Sequence, residues 1–275
     1  MRKLARTLST LAGRFFRHAV LPPHEGTAYH NTKHSSHRKK YSNSAFCGEV
    51  IGKFNFGDVG LEPVCSRWGF TRGDPIDRFY IEEFLIRHAS DIQGNVLEIG
   101  NNTYTRQFGG DRVIKSDVLD VELRSDQVTI VADLTNAPQV PNDTFDCIIL
   151  TQVLVVIQDV TKALATVCRI LKPGGVALIT VPGISHISSS LVEAQQWSWS
   201  FYPKTLRWLL LQYCFDESRL VVESAGNLKT TIGFMLGLSQ QDLLAPDFAI
   251  NDKRYPLVVT ARAVKIHRPR SDARC

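Results

Sequence analysis

The sequence lacks the features that define several classes of protein. None of its six cysteines forms a Cys-x-x-Cys pair, and no His/Cys cluster has the spacing of a zinc site. No run of about 18 apolar residues occurs, so we expect no membrane-spanning helix. Cys147 and Cys168 lie in apolar stretches, where a reduced thiol behaves as a small hydrophobe. The pattern predicts a cytoplasmic protein without a metal site.

Glycine is also scarce after the first apolar strand. The stretch "VLEIGNNTYTRQFGG" has Gly100 and then Asn-Asn-Thr-Tyr, where a dinucleotide-binding loop would read G-x-G-x-x-G. Those glycines allow the backbone to approach a pyrophosphate, so their absence argues against a nicotinamide-dependent oxidoreductase. The turn remains compatible with a nucleoside ligand that carries no phosphate.

The charge is distributed unevenly. Residues 1–45 contain nine Lys/Arg and one acid, a net charge of +8 in a chain whose total is +5, which leaves −3 for the remainder. The mildly acidic remainder predicts no nucleic-acid partner. Apolar residues recur at helical spacing within residues 1–20, a pattern that suits peripheral contact with the inner face of a membrane. A solvated tail and an organelle-targeting peptide are the alternatives, and residues 22–45 have the composition of a disordered linker.

The pattern after this segment predicts an α/β domain. Short Val/Ile/Leu-rich strands alternate with amphipathic helices, which is typical of a largely parallel sheet covered on both faces. A leading helix is predicted in "PIDRFYIEEFLIRHAS", and the strands begin with "NVLEIG". We divide the chain into a basic segment (1–45), an extension with the leading helix (46–92), a main domain (93–268) and a tail (269–275).

Polar side chains are predicted at the carboxyl ends of consecutive strands, where ligands bind in open α/β sheets. They are Glu98, Asp117, Asp133 and Gln152. A nucleoside would satisfy such acids, since a ribose diol donates two hydrogen bonds to one carboxylate. The alternatives are a turn cap at Asp117, an Asx turn at Asp133, backbone amides or a buried cation at Glu98, and an ordinary tight turn at Gly100.

From Asn95 to about Gly183 the chain resembles class I S-adenosylmethionine-dependent methyltransferases of the type-11 branch. The resemblance is carried by "VLEIG", "SDV", "VADLTNAP", "FDCIILTQVLVVIQDV" and "ILKPGGVALITVP". More narrowly, "SRWGFTRGDPIDRFYIEEFL", "NNTYTRQFGG" and "FYPKTLRWLL" resemble a bacterial subgroup associated with glycosyltransferases and polysaccharide biosynthesis. The resemblance implies a Rossmann-like, seven-stranded, mostly parallel sheet with an antiparallel last strand and helices on both faces.

The resemblance also implies S-adenosylmethionine as cofactor and roles for individual residues. Glu98 and Gly100 would lie by the methionine portion, where Asn101 and Thr103 could meet its carboxylate and ammonium. Asp117, followed by Val118, would hold the ribose, Asp133 and Leu134 would flank the adenine, and Gln152 would face the transferred methyl group. Arg72, Arg78 and Tyr80 could close over the cofactor or substrate, or could only anchor the leading helix.

The expected acceptor is a small molecule or glycan, with glycosyltransferases as possible partners. Many relatives carry a histidine after the fourth strand where this chain has Val156, so His186 is the candidate general base, with a plain loop residue as the alternative. An aromatic acceptor wall is predicted at Trp197, Trp199 and Tyr202, although Trp197, Trp199 and Phe201 could instead pack this loop onto the core. Two functions follow: O-methylation of a saccharide or cell-envelope precursor, or a degenerate scaffold in a glycan-assembly complex.

Overall fold

The computed structural model describes residues 60–187 and 196–266, which are built around a seven-stranded sheet. The strands are β1 (Gly94–Ile99), β2 (Val113–Asp120), β3 (Ile130–Val131), β4 (Phe145–Thr151), β5 (Leu171–Pro182), β6 (Val221–Ala225) and β7 (Val258–Val264). The α-helices are α1 (Ile76–Arg87), α2 (Val160–Ile170), α3 (Pro203–Leu211), α4 (Leu228–Met235) and α5 (Ala245–Phe248). The predicted basic helix (1–20), linker (22–45) and tail (269–275) lie outside the described residues.

The strand order is β3-β2-β1-β4-β5-β7-β6. Strands β1 to β5 run parallel to one another, while β7 runs antiparallel to both β5 and β6. The predicted α/β fold with an antiparallel last strand is therefore confirmed. The order reverses between β1 and β4, and this switch point is where open α/β sheets bind their ligands.

Two apolar layers cover the sheet because successive strand residues point to opposite faces. Leu97 of β1 and Ile148 of β4 belong to the core shared with α2 and α3. Their neighbours Val96 and Ile149 belong to the core shared with α1 and α4. The predicted leading helix is confirmed as α1, which buries five side chains spaced along one face: Ile76, Tyr80, Ile81, Phe84 and Leu85.

Two predicted elements differ in length from the observed ones. Of the predicted strand at 128–133, only Ile130–Val131 is a regular strand, paired with Leu119–Asp120 of β2. The predicted helix at 228–244 ends as α4 at Met235, because Gly237 adopts a positive φ of 76° and the chain turns. A Cβ at Gly237 would lie 2.0 Å from the carbonyl oxygen of Cys65, so this close approach requires glycine.

The cysteines are only partly as predicted. Cys147 is a fully buried free thiol, and burial raises its pKa. Cys168, predicted to be a reduced thiol, instead forms a disulfide with Cys214. Cys214 lies three residues beyond the end of α3, and its Cα atom is 5.9 Å from that of Cys168 in α2, within the range that a disulfide spans. Cys168 therefore gives no support to the prediction of a cytoplasmic protein.

No helix among residues 60–187 and 196–266 is long and apolar enough to cross a membrane.

Candidate functional site

Gly100 begins the turn at the switch point, immediately after β1. Its φ is 85°, and its N–H donates to the carbonyl oxygen of Leu119 at 2.9 Å, which ties the turn to the end of β2. On the other side of the switch point, Gln152 follows β4 with φ 57°, and its N–H donates to Thr180 of β5 at 2.8 Å. A positive φ is uncommon outside glycine, so the backbone at Gln152 is locally constrained.

Glu98 is the buried acid that holds this turn. Its carboxylate accepts hydrogen bonds from the N–H of Tyr104 at 3.2 Å, and from the N–H and hydroxyl of Thr105 at 2.8 Å each. Burial raises the pKa of Glu98 to about 7, although these three donors oppose the shift. The backbone-amide alternative for Glu98 is thus what the structure shows, and it gives a glycine-poor turn a fixed shape.

Arg78 places a positive charge beside the same turn. Its Nη1 donates to the hydroxyl of Tyr104, and its guanidinium carbon lies 5.8 Å from the centroid of that ring. Burial raises the pKa of Tyr104 to about 12. Although burial opposes the charge of Arg78, its neighbours Tyr104 and Asp77 raise its pKa above the ordinary value. The cation is therefore permanent and oriented by an aromatic side chain.

Asn101 and Thr103 lie on the turn itself. The side-chain oxygen of Asn101 accepts from the N–H of Thr103 at 2.9 Å, which closes a local Asx turn. Asn101 is partly buried and Thr103 is exposed. The turn continues into the helical segment Thr105–Gly109, so both residues stand at the start of the short connection from β1 to β2.

Asp117 is not at the end of β2, and this corrects the sequence interpretation. The strand continues through Val118 and Leu119 to Asp120. Leu119 pairs with Ile99 of β1 and is 1% exposed, so its side chain belongs to the core. Asp117 accepts from the hydroxyl of Thr129 at 2.9 Å, and its other oxygen lies 2.8 Å from the ammonium of Lys115. Its carboxylate is thus engaged within the sheet.

Asp120 is the acid that β2 carries to the switch point. It is 1% exposed, and burial raises its pKa against the opposing charge of Arg124. The guanidinium of Arg124 lies 3.7 Å away, and the Asp120 Oδ1 accepts from the N–H of Glu122 at 3.2 Å. The signal that could have found it is the run "SDVLDV", in which two apolar residues, Val118 and Leu119, separate the second acid from the first.

Asp133 forms the Asx turn that the sequence left open as an alternative. Its Oδ1 accepts from both the N–H and the hydroxyl of Thr135 at 2.8 Å. Asp133 is exposed, two residues beyond the end of β3, whereas the side chain of Leu134 is buried in the core beneath α2. Asp133 therefore presents a polar side chain at the edge of the sheet, and the burial of Leu134 holds the backbone beside it in place.

Arg72 and Tyr80, which the resemblance offered as groups that close over the site, are engaged elsewhere. Arg72 donates from Nε and Nη2 to the two carboxylate oxygens of Asp242 at 2.8 and 2.7 Å. The hydroxyl of Tyr80 donates to the hydroxyl of Thr230 at 3.0 Å within the buried layer. Both residues anchor the leading segment, so only Arg78 of the three lies beside the turn.

Trp68 organises an aromatic stack that the sequence interpretation missed. Its ring lies parallel to that of His186, with centroids 5.0 Å apart, and parallel to that of Trp197, with centroids 6.0 Å apart. Trp68 has a φ of 53°, and Gly69 after it has 92°. A Cβ at Gly69 would lie 2.4 Å from the carbonyl oxygen of Leu238, so this approach requires glycine. The Trp-Gly dipeptide was the available signal.

The stack leaves three buried polar atoms without a hydrogen-bond partner among the described residues. They are Trp68 Nε1, His186 Nε2 and Gln196 Oε1. The His186 Nδ1 lies 2.8 Å from the carbonyl oxygen of Ile187. A carbonyl only accepts, so Nδ1 carries the proton and Nε2 of the neutral ring holds a lone pair. Unpaired buried polar atoms are costly, so these three atoms need partners beyond the described residues.

The predicted aromatic wall is divided by the structure. Trp197 joins His186 through Trp68, as described. Trp199 instead donates from Nε1 to the carbonyl oxygen of Ile157 at 2.9 Å and faces the groove beside α3. Tyr202 is 59% exposed at the start of α3, and Phe201 between them is fully buried. Phe201 therefore packs the loop onto the core, as the alternative interpretation proposed. Residues 188–195, between His186 and Trp197, lie outside the described residues.

Comparisons of the fold give distant likenesses. A SAM-dependent methyltransferase from Archaeoglobus fulgidus aligns with 13% identity and a TM-score of 0.47, over 68% of this chain and 94% of the other. The N-methyltransferase NodS from Bradyrhizobium japonicum in complex with S-adenosylhomocysteine aligns with 15% identity and a TM-score of 0.46, over 72% and 91%. A phosphoethanolamine N-methyltransferase 2 from Haemonchus contortus aligns with 16% identity and a TM-score of 0.47, over 69% and 53%.

Sequence comparison assigns the family. No curated protein matches the chain. A family model described as a methyltransferase domain matches residues 61–215, more than half of the chain. The matched region starts before α1 and ends after α3, so it contains the switch point, Asp120 and the Trp68–His186 stack. The chain belongs to this methyltransferase-domain family.

Proposed function

We propose that the protein binds S-adenosylmethionine at the switch point between β1 and β4 and transfers its methyl group to a hydroxyl of a small-molecule or glycan acceptor. The observation that carries this proposal is the buried carboxylate of Asp120 at the end of β2, directly after Leu119, whose carbonyl holds Gly100. A carboxylate here can accept both hydrogen bonds of a ribose diol. Asp120 thus takes the role that the resemblance gave to Asp117.

The other residues at the edge fit the rest of this cofactor. In the proposal, the adenine amino group donates to Asp133, and the adenine ring lies against the backbone of Leu134. The single glycine of the turn suits a ligand without phosphate. Arg78 adds a positive charge beside Tyr104, where the carboxylate of the methionine portion would be stabilised, and the turn amides near Asn101 and Thr103 supply further donors.

S-adenosylmethionine, when bound, supplies a methyl group that is already activated by its sulfonium. What remains for the protein is to orient the acceptor and to remove its proton. Orientation alone contributes on the order of 7–11 kcal/mol in ideal intramolecular cases. We assign proton removal to His186, whose Nε2 lone pair is buried and unpaired among the described residues. Trp68 fixes the plane of this imidazole through the stack.

A saccharide is the acceptor class that we propose. Pyranose rings combine hydroxyl groups with apolar C–H faces, and aromatic side chains match those faces. Trp197 and Trp68 form such a surface next to the proposed base. Trp68 Nε1 and Gln196 Oε1, both buried and unpaired among the described residues, add a donor and an acceptor for hydroxyl groups.

Methyl transfer from labelled S-adenosylmethionine tests this function. The full-length protein is incubated with saccharide acceptors, and the label in the product is counted. We expect transfer to a hydroxyl, with a loss in the Asp120→Asn variant that high cofactor concentration restores. We expect a loss in His186→Asn that cofactor concentration does not restore. Transfer that is equal in all three proteins would contradict both assignments.

A non-catalytic scaffold in a glycan-assembly complex is the second candidate function. Val156, partly buried after β4, stands where many relatives carry a histidine, so the loop beside Gln152 offers no imidazole. This function requires partner binding, with glycosyltransferases as the proposed partners, and no transfer to any acceptor. S-adenosylhomocysteine binding without turnover, together with stable association with such an enzyme, would favour the scaffold.

A further inference from the structure

A second groove lies outside the proposed transfer site. It has a volume of about 680 Å³ and is bounded by the segment that precedes α2, the first turn of α2, and α3. This volume falls within the usual range for small-molecule sites, roughly 300–1,000 Å³. Two tryptophans, Trp199 and Trp208, form part of its lining.

The tryptophans are unusually exposed for such large apolar side chains. Trp208 on α3 is 61% exposed, and Trp199 is 38% exposed. The indole of Trp199 is held in one orientation, because its Nε1 donates to the carbonyl oxygen of Ile157 and its backbone N–H donates to Val155 at 3.3 Å. The groove therefore offers one fixed aromatic ring and a second on the surface of a regular helix, and ring faces of this kind bind flat apolar surfaces.

Apart from Val160 and Leu209, the remaining lining is polar, and it carries no net charge. Gln158, Thr161 and Thr205 contribute amide and hydroxyl groups. The two charged side chains of the groove neutralise each other, since Lys162 Nζ lies 2.9 Å from Asp159 Oδ2. Aromatic faces beside uncharged hydrogen-bonding groups suit a neutral ligand with both C–H faces and hydroxyls, and they do not suit a phosphate or an acidic polymer.

We propose that this groove binds a neutral saccharide, which stacks the apolar face of a pyranose ring on Trp208 and Trp199. The inference rests on the proposed function and deepens it, because the sugars held here would be further units of the same saccharide acceptor. The segment that carries Trp199 is bonded to the loop after β4. Ser198 donates its N–H to the carbonyl oxygen of Val155 at 2.9 Å, and Val155 lies in the loop that begins at Gln152.

Titration with cellohexaose, a neutral β-linked glucose hexamer, tests this inference by ligand-observed NMR on the full-length protein. Trp208→Ala should weaken binding by about tenfold or more, because it removes a whole stacking face. Trp208→Phe should retain most of the affinity, because a ring face remains. Ile114→Ala removes a side chain that is 85% exposed on β2, far from the lining, and serves as the control with unchanged affinity.

Two outcomes would overturn the inference. One is cellohexaose binding that is absent in the wild-type protein or equal in wild type and Trp208→Ala. The other is concentration-dependent dimerisation that only Trp208→Ala abolishes, with no response to the saccharide, which would assign the groove to a second copy of this chain. Titration of S-adenosylhomocysteine into the same samples separates this failure from that of the proposed function, because its binding does not involve Trp208.

Discussion

The imidazole of His186 lies flat against the indole of Trp68, with ring centroids 5.0 Å apart and planes inclined by 13°. With Nδ1 directed at the carbonyl oxygen of Ile187, the free lone pair of the neutral ring is on Nε2. A neutral histidine with its lone pair on Nε2 can take the proton of an acceptor hydroxyl when the plane of its ring is fixed. The stack supplies that orientation and connects the base to the proposed acceptor wall.

His186→Asn should therefore lower kcat by roughly 10²- to 10⁴-fold, the usual range for loss of a general base. Affinity for S-adenosylhomocysteine should stay unchanged, because no cofactor role is assigned to His186. His88→Asn is the matched control, since His88 lies 3.7 Å from Asp91 at the far end of α1. Steady-state kinetics and calorimetry on both variants give the answer, and a His186→Asn enzyme with wild-type kcat would exclude this base.

Asp120 and Asp117 should differ in their effect on cofactor binding. Asp120→Asn should weaken S-adenosylhomocysteine by roughly 10- to 100-fold, because hydrogen bonds to charged groups contribute about 1.5–3 kcal/mol. Asp117→Asn should have little effect, because that carboxylate is already engaged by Thr129 and Lys115. Calorimetric titration measures both, with thermal unfolding as the check on folding. The reverse order of effects would restore the ribose role to Asp117.

Glu98 should make the protein less stable as pH rises. Its pKa is raised from 4.5 to about 7 in the folded state, so between these values the folded state binds more protons than the unfolded state. The free energy of unfolding should fall across this window by up to about 3 kcal/mol. Glu98→Gln should remove that fall, whereas the exposed control Glu83→Gln should keep it. Urea unfolding at pH 5 and pH 7 measures this fall in the free energy of unfolding. An equal fall in wild type and Glu98→Gln would contradict the assignment.

Arg72 should act on stability and not on ligand binding. Its two-point contact with Asp242 joins the segment before α1 to the segment after α4, and the Arg72 side chain is 33% exposed. A double-mutant cycle with Arg72→Ala and Asp242→Ala should give a coupling energy of about 1 kcal/mol. S-adenosylhomocysteine affinity should be unchanged in Arg72→Ala. A clear loss of affinity would instead support a residue that closes over the cofactor.

The sequence was sufficient for most of the fold, because the alternation of apolar strands and amphipathic helices is local. It located the turn at Gly100 for the same reason, and it offered backbone amides at Glu98 and an Asx turn at Asp133 as alternatives that the structure shows. The sequence analysis placed the end of β2 at Asp117, because an acid in an apolar stretch is typical of the end of a strand. Only the tertiary register, in which Leu119 enters the core, shows that β2 continues.

The features that the sequence did not predict depend on contacts between distant segments. Trp68 meets His186 and Trp197 only after the segment before α1 folds over the carboxyl edge of the sheet. Cys168 in α2 and Cys214, three residues beyond the end of α3, are 46 residues apart in the sequence and meet only in the folded chain. No local periodicity encodes either relationship, so single-residue patterns cannot reveal them.

Calorimetric titration of the full-length protein with S-adenosylhomocysteine tests the central claim most directly, because every proposed role depends on a nucleoside site at the switch point. We predict saturable binding with micromolar affinity and one ligand per chain, and a loss of roughly tenfold or more in Asp120→Asn. The absence of any binding heat at high micromolar ligand, with a folded protein in the cell, would contradict the account.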